Sequence, residues 1–376
     1  MVTVATGVKW FQPITLTYSG STGLGTTYQQ RIFYPLNSAM GTTFAPNRQN
    51  VLFFDENGVV IPSWLETVGG VGSGGTTAIY WLKLNGFSGS TTVYIGSGVK
   101  QNNFWSAQGS TGVNYLLNGL NGTEDNGTAI FNYYVNFTAK VIPSTWLAMF
   151  IYKPSYSSTG GINISSLGGW QGYVTGYTTK VPEVLEYYFN SGTNQYATIG
   201  IVTERHGGLN SLPVDLVDNS YNIPVGNFAP KTLNSQQVGH IQFQYRQGDY
   251  FGQWGIDVST GGEPTLGGYS FSFRDYLVSG YILKNECRLE VNYGNVNMVS
   301  QSTRQTTGLP YLKYPIAGFT GWFSFGTFAG SNVVFKFVRT RDFVDSMPTA
   351  TFGAMAEYTG VTSYSMNVTD TVGVTD

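Results

Sequence analysis

The sequence predicts an all-β protein, and three observations support this fold class. Apolar and polar residues alternate in many short stretches, as in 78–84 and 241–245, which is the pattern of half-buried strands. Clusters of Gly, Asn and Ser separate these stretches, and no stretch keeps an apolar period of 3.6 residues. The chain of 376 residues is too long for one ordinary sandwich and suits two, each with its own core. We expect helix only as short turns, at 185–189 and 274–278.

Composition also predicts where one sandwich ends and the next begins. Segments rich in Gln, Asn, Ser and Gly interrupt the strand pattern at 101–129. We therefore expect a first sandwich at 1–100, a boundary loop at 101–129 and a second sandwich at 130–353. Residues 354–376 keep a weak alternation rich in Thr and Val, which predicts either a tail or a strand donated to a neighbouring subunit.

The charge content restricts the partners. Charged residues make up 11% of the chain, against roughly 25% in an average soluble protein, and the net charge is −2. This composition has no basic patch of the kind that binds nucleic acid or anionic lipid. A surface with few charges suits contact with other copies of the chain or with glycans, so we expect an oligomer or a member of a larger assembly.

No cofactor, metal site or membrane span is expected from the sequence. The longest apolar stretch, 146–152, is much shorter than the ~20 residues that cross a bilayer. The first residues lack the charged leader and apolar core of a secretory signal. Cys287 is the one cysteine, in a strand-like segment, and we expect a buried, inert thiol.

Candidate catalytic groups do not form a coherent set. Glu204 and His206 would share one face of a strand, but no nucleophile motif accompanies them. Glu183 and Glu186 are the closest carboxylates, and their spacing places them on opposite faces of a strand. The G-x-G-x-x-G pattern at 70–75 joins two predicted strands with no helix after it, so we interpret it as a hairpin loop. We therefore expect a protein without enzymatic activity.

One aromatic cluster is a candidate binding platform. Trp170, Tyr173 and Tyr177 are punctuated by glycines, and flat rings with polar tips stack on sugars and anchor protein interfaces. The alternative interpretation is a Gly-rich hairpin whose rings lie in the core. Asn121 and Asn126, in the boundary loop, are the candidate glycosylation sites.

The segment Asp55-Glu56-Asn57-Gly58 admits two interpretations. It contains acidic and amide oxygens, which are calcium ligands, but it lacks the spaced acceptors of a calcium loop. Asn57-Gly58 supplies the positive φ angles of a tight hairpin turn, so we predict a turn.

The first ~100 residues resemble a domain of bacterial and archaeal surface proteins known as DUF2341. The matching segments are Trp10, 13–17, 28–32, 51–58, 61–66, 79–84 and 92–96. In that family a jelly-roll-like sandwich is commonly followed by a concanavalin-like sandwich, and the segments 337–345 and 347–353 are similar to its ending. The resemblance implies two such sandwiches in tandem, and a surface protein that is not known as an enzyme.

The chain also resembles the vertex or turret proteins of archaeal turreted icosahedral viruses in its length, its low charge content and the absence of a secretory signal. This similarity implies a structural protein of the virion surface that attaches to a host surface protein or glycan, together with other structural subunits. Two alternatives remain open. One is an archaeal cell-surface or pilus adhesin, and the other is a secreted carbohydrate-binding module or glycosidase.

Overall fold

Strands account for nearly all of the regular structure, as the sequence predicts. The computed structural model describes these residues: 2–21, 23–68, 76–106, 110–113, 124–137, 143, 147–149, 155–156, 161–165, 170–180, 183–191, 196–202, 232–233, 236–237, 240–246, 250–254, 275–283, 286–293, 301–306, 320–328 and 332–360. They belong to two units. The first comprises Met1–Ile130 and Val344–Asp376, and the second comprises Phe131–Phe343.

In the first part of the chain, the described residues form eight strands, a 3₁₀ turn at Met40–Thr43 and one short helix. The strands are β1 (Trp10–Thr17), β2 (Thr27–Pro35), β3 (Val51–Phe54), β4 (Val60–Ile61), β5 (Ser63–Val68), β6 (Thr77–Asn85), β7 (Ser90–Ser97) and β8 (Thr111–Val113), and the helix is α1 (Gly127–Ile130). The last two described strands are β25 (Thr349–Phe352) and β26 (Ala356–Glu357).

The strands between these belong to the second unit. They are β9 (Tyr133–Asn136), β10 (Leu147–Met149), β11 (Ser155–Tyr156), β12 (Ile162–Ser165), β13 (Trp170–Lys180), β14 (Glu183–Ser191), β15 (Tyr196–Val202), β16 (Thr232–Leu233), β17 (Gln236–Gln237), β18 (His240–Arg246), β19 (Tyr250–Trp254), β20 (Asp275–Leu283), β21 (Glu286–Tyr293), β22 (Gln301–Thr306), β23 (Thr320–Phe328) and β24 (Asn332–Asp342).

The first unit is a sandwich of two sheets. One sheet has the order β25-β1-β7-β3-β4, with β26 also paired to β1, and the other has the order β2-β6-β5-β8. Alternate residues of facing strands fill the space between the sheets: Ile14 and Phe53 come from one sheet, and Ile32, Tyr34 and Leu82 from the other. These side chains are fully buried. The period-two pattern of the sequence therefore produces this core.

The two ends of the chain are joined in the first unit. β25 and β26 pair with β1, with Ile14 opposite Phe352 and Phe11 opposite Ala356. The prediction that 347–353 ends the second sandwich is therefore wrong, because a strand pattern does not show which strand is its partner. Ala356 thus pairs with β1 of the same chain. Residues 361–376 of the predicted tail lie outside the described part of the chain.

Polar side chains in the sandwich interior hold the C-terminal segment in place. Gln12 Nε2 donates to the carbonyl of Gly353 at 2.6 Å, and the Tyr34 hydroxyl donates to Gln12 Oε1 at 2.6 Å. Gln30 Nε2 donates to the carbonyl of Pro348 at 3.1 Å. Because the glutamine side chains are buried, each of these hydrogen bonds satisfies a group that would otherwise be desolvated without a partner.

The described parts of the predicted boundary loop pack on the first unit. β8 pairs with β5, and Trp64 Nε1 donates to Asp125 Oδ1 at 2.8 Å. Gln29 Nε2 donates to the carbonyl of Ile130 at 3.1 Å. The first unit therefore continues to Ile130, and the described parts of the predicted boundary loop at 101–129 belong to it.

The second unit also contains two large sheets. Their orders are β10-β13-β23-β15-β18-β19 and β11-β12-β24-β14-β20-β21-β22, with β9 paired to β24. The segments 185–189 and 274–278, where short helical turns were predicted, belong to the strands β14 and β20 apart from residue 274, which is not described. That prediction is wrong. Residues 183–188 of β14 are buried on both faces, so their sequence lacks the polar alternation that identifies a half-buried strand.

A buried ion cluster joins β14 to β24. Glu186 accepts hydrogen bonds from Arg339 Nε at 2.5 Å and from Arg341 Nε at 3.1 Å. Arg339 also lies over the rings of Phe131 and Phe337, at 4.4 and 5.1 Å from their centroids. Guanidinium and carboxylate are thus removed from water together, which makes each dependent on the other. Among the described residues, no helix is long and apolar enough to cross a membrane.

We expect Glu186→Ala to destabilise the protein by about 3–5 kcal/mol, because it leaves two buried arginines without their carboxylate. The matched control is Glu357→Ala, whose ion pair with Lys9 is about half exposed, with side chains 53% and 45% accessible. This control should cost less than about 1 kcal/mol. Urea unfolding followed by far-UV circular dichroism measures both, and equal losses would contradict the account.

Tyr34→Phe tests the polar interior of the first unit. Burial raises the pKa of Tyr34 to about 12 from an ordinary 10. Above pH ~10 the unfolded chain therefore releases this proton before the folded chain does, and folding stability falls as the pH rises. The variant should lose about 1 kcal/mol at neutral pH, from its hydrogen bond to Gln12. It should lose less stability than the parent chain between pH ~8 and ~11, measured by urea midpoints. Equal losses of stability in the variant and the parent chain over this pH interval would contradict the raised pKa of Tyr34.

Candidate functional site

A groove of about 740 Å³ opens at one end of the first sandwich. It is lined by Thr27, 55–57, 59–62, 83–85 and 90–93. These residues come from the turn between β3 and β4, the ends of β2 and β6, and the first half of β7. Both sheets therefore contribute walls to one groove.

The turn that forms one wall is held by its own backbone. Asp55 N donates to Val59 O at 3.0 Å, and Gly58 N donates to Asp55 O at 3.0 Å. Asp55 Oδ1 accepts from the backbone N–H groups of Asn57 at 2.9 Å and Val59 at 2.8 Å. The predicted turn is confirmed, and the two hydrogen bonds to Asp55 Oδ1 give this side chain a structural role in the turn. The described residues contain no group of three side chains that could hold a metal ion.

The geometry of this turn differs from the prediction in one respect. Gly58 has a φ of +79°, while Arg48 is the one non-glycine with positive φ among the described residues, so Asn57 has negative φ. The loop is a three-residue hairpin connection with glycine in the left-handed position, rather than a two-residue turn at Asn57-Gly58. β3 ends at Phe54, and the loop returns the chain to β4, where Val60 is opposite Phe54.

β7 is consequently open along half of one side. β1 pairs with the whole strand, from Ser90 to Ser97. β3 pairs only with its second half, and the last pair is Phe54 with Tyr94. Within the described part of the chain, residues 90–93 have no neighbouring strand on that side.

The register identifies which backbone groups lie on the open side. Pro13, opposite Tyr94, has no N–H, and its carbonyl accepts from Gly353 N at 3.0 Å on the other side of β1. Pro13 and Tyr94 are therefore a non-hydrogen-bonded pair, and the backbone groups of Tyr94 point away from β1. Because direction alternates along a strand, the N–H and C=O of Thr92 also point away from β1, towards the groove.

Apolar and polar surfaces alternate across the groove. Ile61, Leu84 and Val93 are each at least nine-tenths buried and form its base, while Val59 is 61% exposed at the rim. Asn85 and Thr92 are exposed, and Lys83 is partly buried. Hydrogen-bonding groups, both uncharged and charged (Asp55, Glu56 and Lys83), thus surround an apolar base, which is the usual composition of a site for a small, polar ligand.

The predicted aromatic platform lies in the second unit. Trp170 and Tyr173 are on β13, opposite Phe328 and Phe325 of β23. The side chains of these two residues lie outside the described part, so their role stays a prediction.

The third member of the platform has clear contacts. The Tyr177 hydroxyl donates to Glu183 Oε1 at 2.7 Å, and its ring stacks on Tyr133 at 4.9 Å between centroids. Burial raises the pKa of Tyr177 well above its ordinary value. Tyr177 therefore connects the two sheets of the second unit.

The candidate glycosylation and catalytic residues have different outcomes. Asn126 is fully buried, and its Nδ2 donates to the carbonyl of Ser63 at 3.3 Å, so a glycan on Asn126 is incompatible with this fold. Asn121 and His206 lie outside the described part. Glu183 and Glu186 are three positions apart on β14, and this odd separation confirms that they occupy opposite faces.

Sequence reasoning did not find the groove. Its residues form no motif, since hydroxyl, amide and aliphatic side chains are common throughout the chain. The available signal was the predicted turn at 56–58 between two strand patterns. The open edge of β7 becomes visible only when the register of β3 is known.

No protein-family model matches this chain, and no curated protein sequence matches it. Solved structures show distant likenesses that span about half of the chain. A carbohydrate-binding module of Bacillus subtilis is 7% identical, with a TM-score of 0.32 over 53% of this chain and 96% of that one. A galectin-like protein of Bacillus subtilis is 10% identical, with a TM-score of 0.34 over 56% and 95%. A β-1,3-glucanase of Mycobacterium marinum is 10% identical, with a TM-score of 0.35 over 56% and 98%.

Two glycines beside the groove provide a matched test of the turn. Gly58 and Gly89 both have positive φ, but a Cβ on Gly58 would lie 3.0 Å from Thr3 Cγ2, whereas a Cβ on Gly89 meets nothing within 4 Å. Gly89→Ala should cost about 1–2 kcal/mol for the left-handed backbone alone. Gly58→Ala should cost more, because it adds the contact with Thr3. Urea unfolding compares the two, and a smaller loss for Gly58→Ala would contradict the described packing.

Proposed function

We propose that this chain is a non-catalytic, saccharide-binding protein of an exterior structure, and that the groove beside β7 is its binding site. The observation that carries the proposal is the combination of an apolar base with hydrogen-bond donors and acceptors on both walls, among them the charged side chains of Asp55, Glu56 and Lys83. Sugars present the complementary surface, with hydroxyl groups around the ring and C–H groups on its faces. The volume of about 740 Å³ also lies within the usual range for small-ligand sites.

The arrangement of carboxylates supports binding without turnover. A glycosidase needs two carboxyl groups on either side of one sugar bond, roughly 5–9 Å apart. In the groove, Asp55 and Glu56 are neighbours in one turn, and Asp55 Oδ1 is already held by two backbone N–H groups. In the second unit, Glu183 and Glu186 are on opposite faces of β14 and bond to Tyr177 and to two arginines.

We further propose that the protein acts within an assembly on a virion or a cell envelope, where a bound glycan provides attachment. The low charge content supports contact with other subunits, since charged groups ordinarily keep free monomers apart. The exposed apolar side chains of Phe33, Val99 and Met355 add to this surface. The proposal of a virion or a cell envelope is based on the resemblance to DUF2341 and to viral vertex proteins. A secreted carbohydrate-binding module is the alternative.

Asn85→Ala tests the binding site, with Asn37→Ala as control. Both asparagines are exposed in the first unit, but only Asn85 lines the groove. The full chain is first screened against immobilised neutral and N-acetylated oligosaccharides, and the best ligand is then titrated by calorimetry. Loss of one hydrogen bond should weaken binding about tenfold in Asn85→Ala and leave Asn37→Ala unchanged. Absence of binding to every saccharide, or equal effects of the two variants, would refute the proposal.

A further inference from the structure

We infer that the groove recognises the 2-acetamido group of an N-acetylhexosamine, an inference that rests on the proposed saccharide function and specifies its substrate class. The starting point is the open edge of β7. The N–H and C=O of Thr92 point into the groove, and no strand pairs with residues 90–93 on that side among the described residues. A secondary amide is the chemical group that ordinarily pairs with such an edge.

The acetamido group brings a secondary amide into a sugar. Ordinary hexoses offer only hydroxyl groups, whereas an N-acetylhexosamine adds one N–H, one C=O and one methyl group. In a trans amide the N–H and C=O point in opposite directions. The ligand C=O can therefore accept from the N–H of Thr92 on the edge of β7 while the ligand N–H points to the opposite wall.

The opposite wall carries suitable partners. Asn85 lines the groove from the end of β6, opposite Thr27 in the β2–β6 pairing. Its side-chain amide is exposed and offers both a donor and an acceptor, so it matches either orientation of the ligand amide. Asn57 and Glu56 add further acceptors from the turn.

The base of the groove suits the acetamido methyl group. Val93, Leu84 and Ile61 line it and have exposed fractions of 4, 8 and 9%. Val93 is adjacent to Thr92, so apolar surface lies directly beside the open backbone groups. A methyl group placed there leaves water, while a hydroxyl group at the same place would lose hydration without a partner.

Two disaccharides separate this inference from the proposed function. Chitobiose and cellobiose share the same linked glucose rings and differ only at the 2-position, where chitobiose carries acetamido groups. Calorimetric titration of the full chain should give at least about tenfold tighter binding of chitobiose. Equal or tighter binding of cellobiose would overturn the inference and leave the proposed function standing. Binding of neither would overturn the inference, and a full oligosaccharide screen without a hit would overturn the function too.

A backbone substitution tests the role of the strand edge. Thr92→Pro removes the N–H that points into the groove, while the β1 ladder uses the neighbouring residues. Thr92→Ala keeps this N–H and is the control. Thr92→Pro should bring chitobiose binding to within about threefold of cellobiose binding, and Thr92→Ala should keep the preference. Preserved preference in a folded Thr92→Pro variant would contradict the inference. Should that variant not fold, the disaccharide comparison with the parent chain decides alone.

The open edge also suits a strand from another chain, so a peptide is included as a competing ligand. A synthetic peptide with the sequence of residues 361–376, which alternates apolar and polar side chains at 364–368, is titrated under the same conditions. Absence of peptide binding together with chitobiose binding supports the inference. Binding of the peptide alone would assign the edge of β7 to strand addition and overturn it.

Discussion

The unequal pairing of β7 is the constraint on which the binding site depends. β1 covers the strand along its whole length, while β3 stops at Phe54, opposite Tyr94. The cause is the three-residue loop that follows, where the positive φ of Gly58 and two hydrogen bonds to Asp55 turn the chain back into β4. The same turn that ends β3 also supplies a wall of the groove. Fold and site thus arise from one local feature.

The first sandwich depends equally on residues from the far end of the chain. β25 and β26 complete the sheet beside β1, and buried glutamines bind the backbone of Pro348 and Gly353. The second unit, Phe131–Phe343, is therefore an insertion within the first. Its own stability is tied to the Glu186 ion cluster rather than to the groove.

The sequence predicted the fold class correctly, and its alternating segments 78–84 and 241–245 lie in β6 and β18, because period-two alternation follows directly from the pleat. It also predicted the turn at 55–58, but it assigned the positive φ to Asn57 as well as to Gly58. Local patterns could not predict that Thr349–Phe352 pairs with β1, since a partner more than three hundred residues away leaves no local signal. The groove was missed for the same reason. The groove can be identified only when the strand register is known, because the register places the backbone of Thr92 on the open side of β7.

Amide hydrogen exchange of the full chain, with and without a saturating N-acetylated oligosaccharide, tests the central claim most directly. The account predicts that the ligand slows exchange in peptides covering 55–62, 83–85 and 90–93, which line the groove. Peptides covering 170–180, where the sequence predicted an aromatic platform, should be unchanged. Slowed exchange at 170–180 with no change at 90–93 would contradict the account and move the binding site to the second unit.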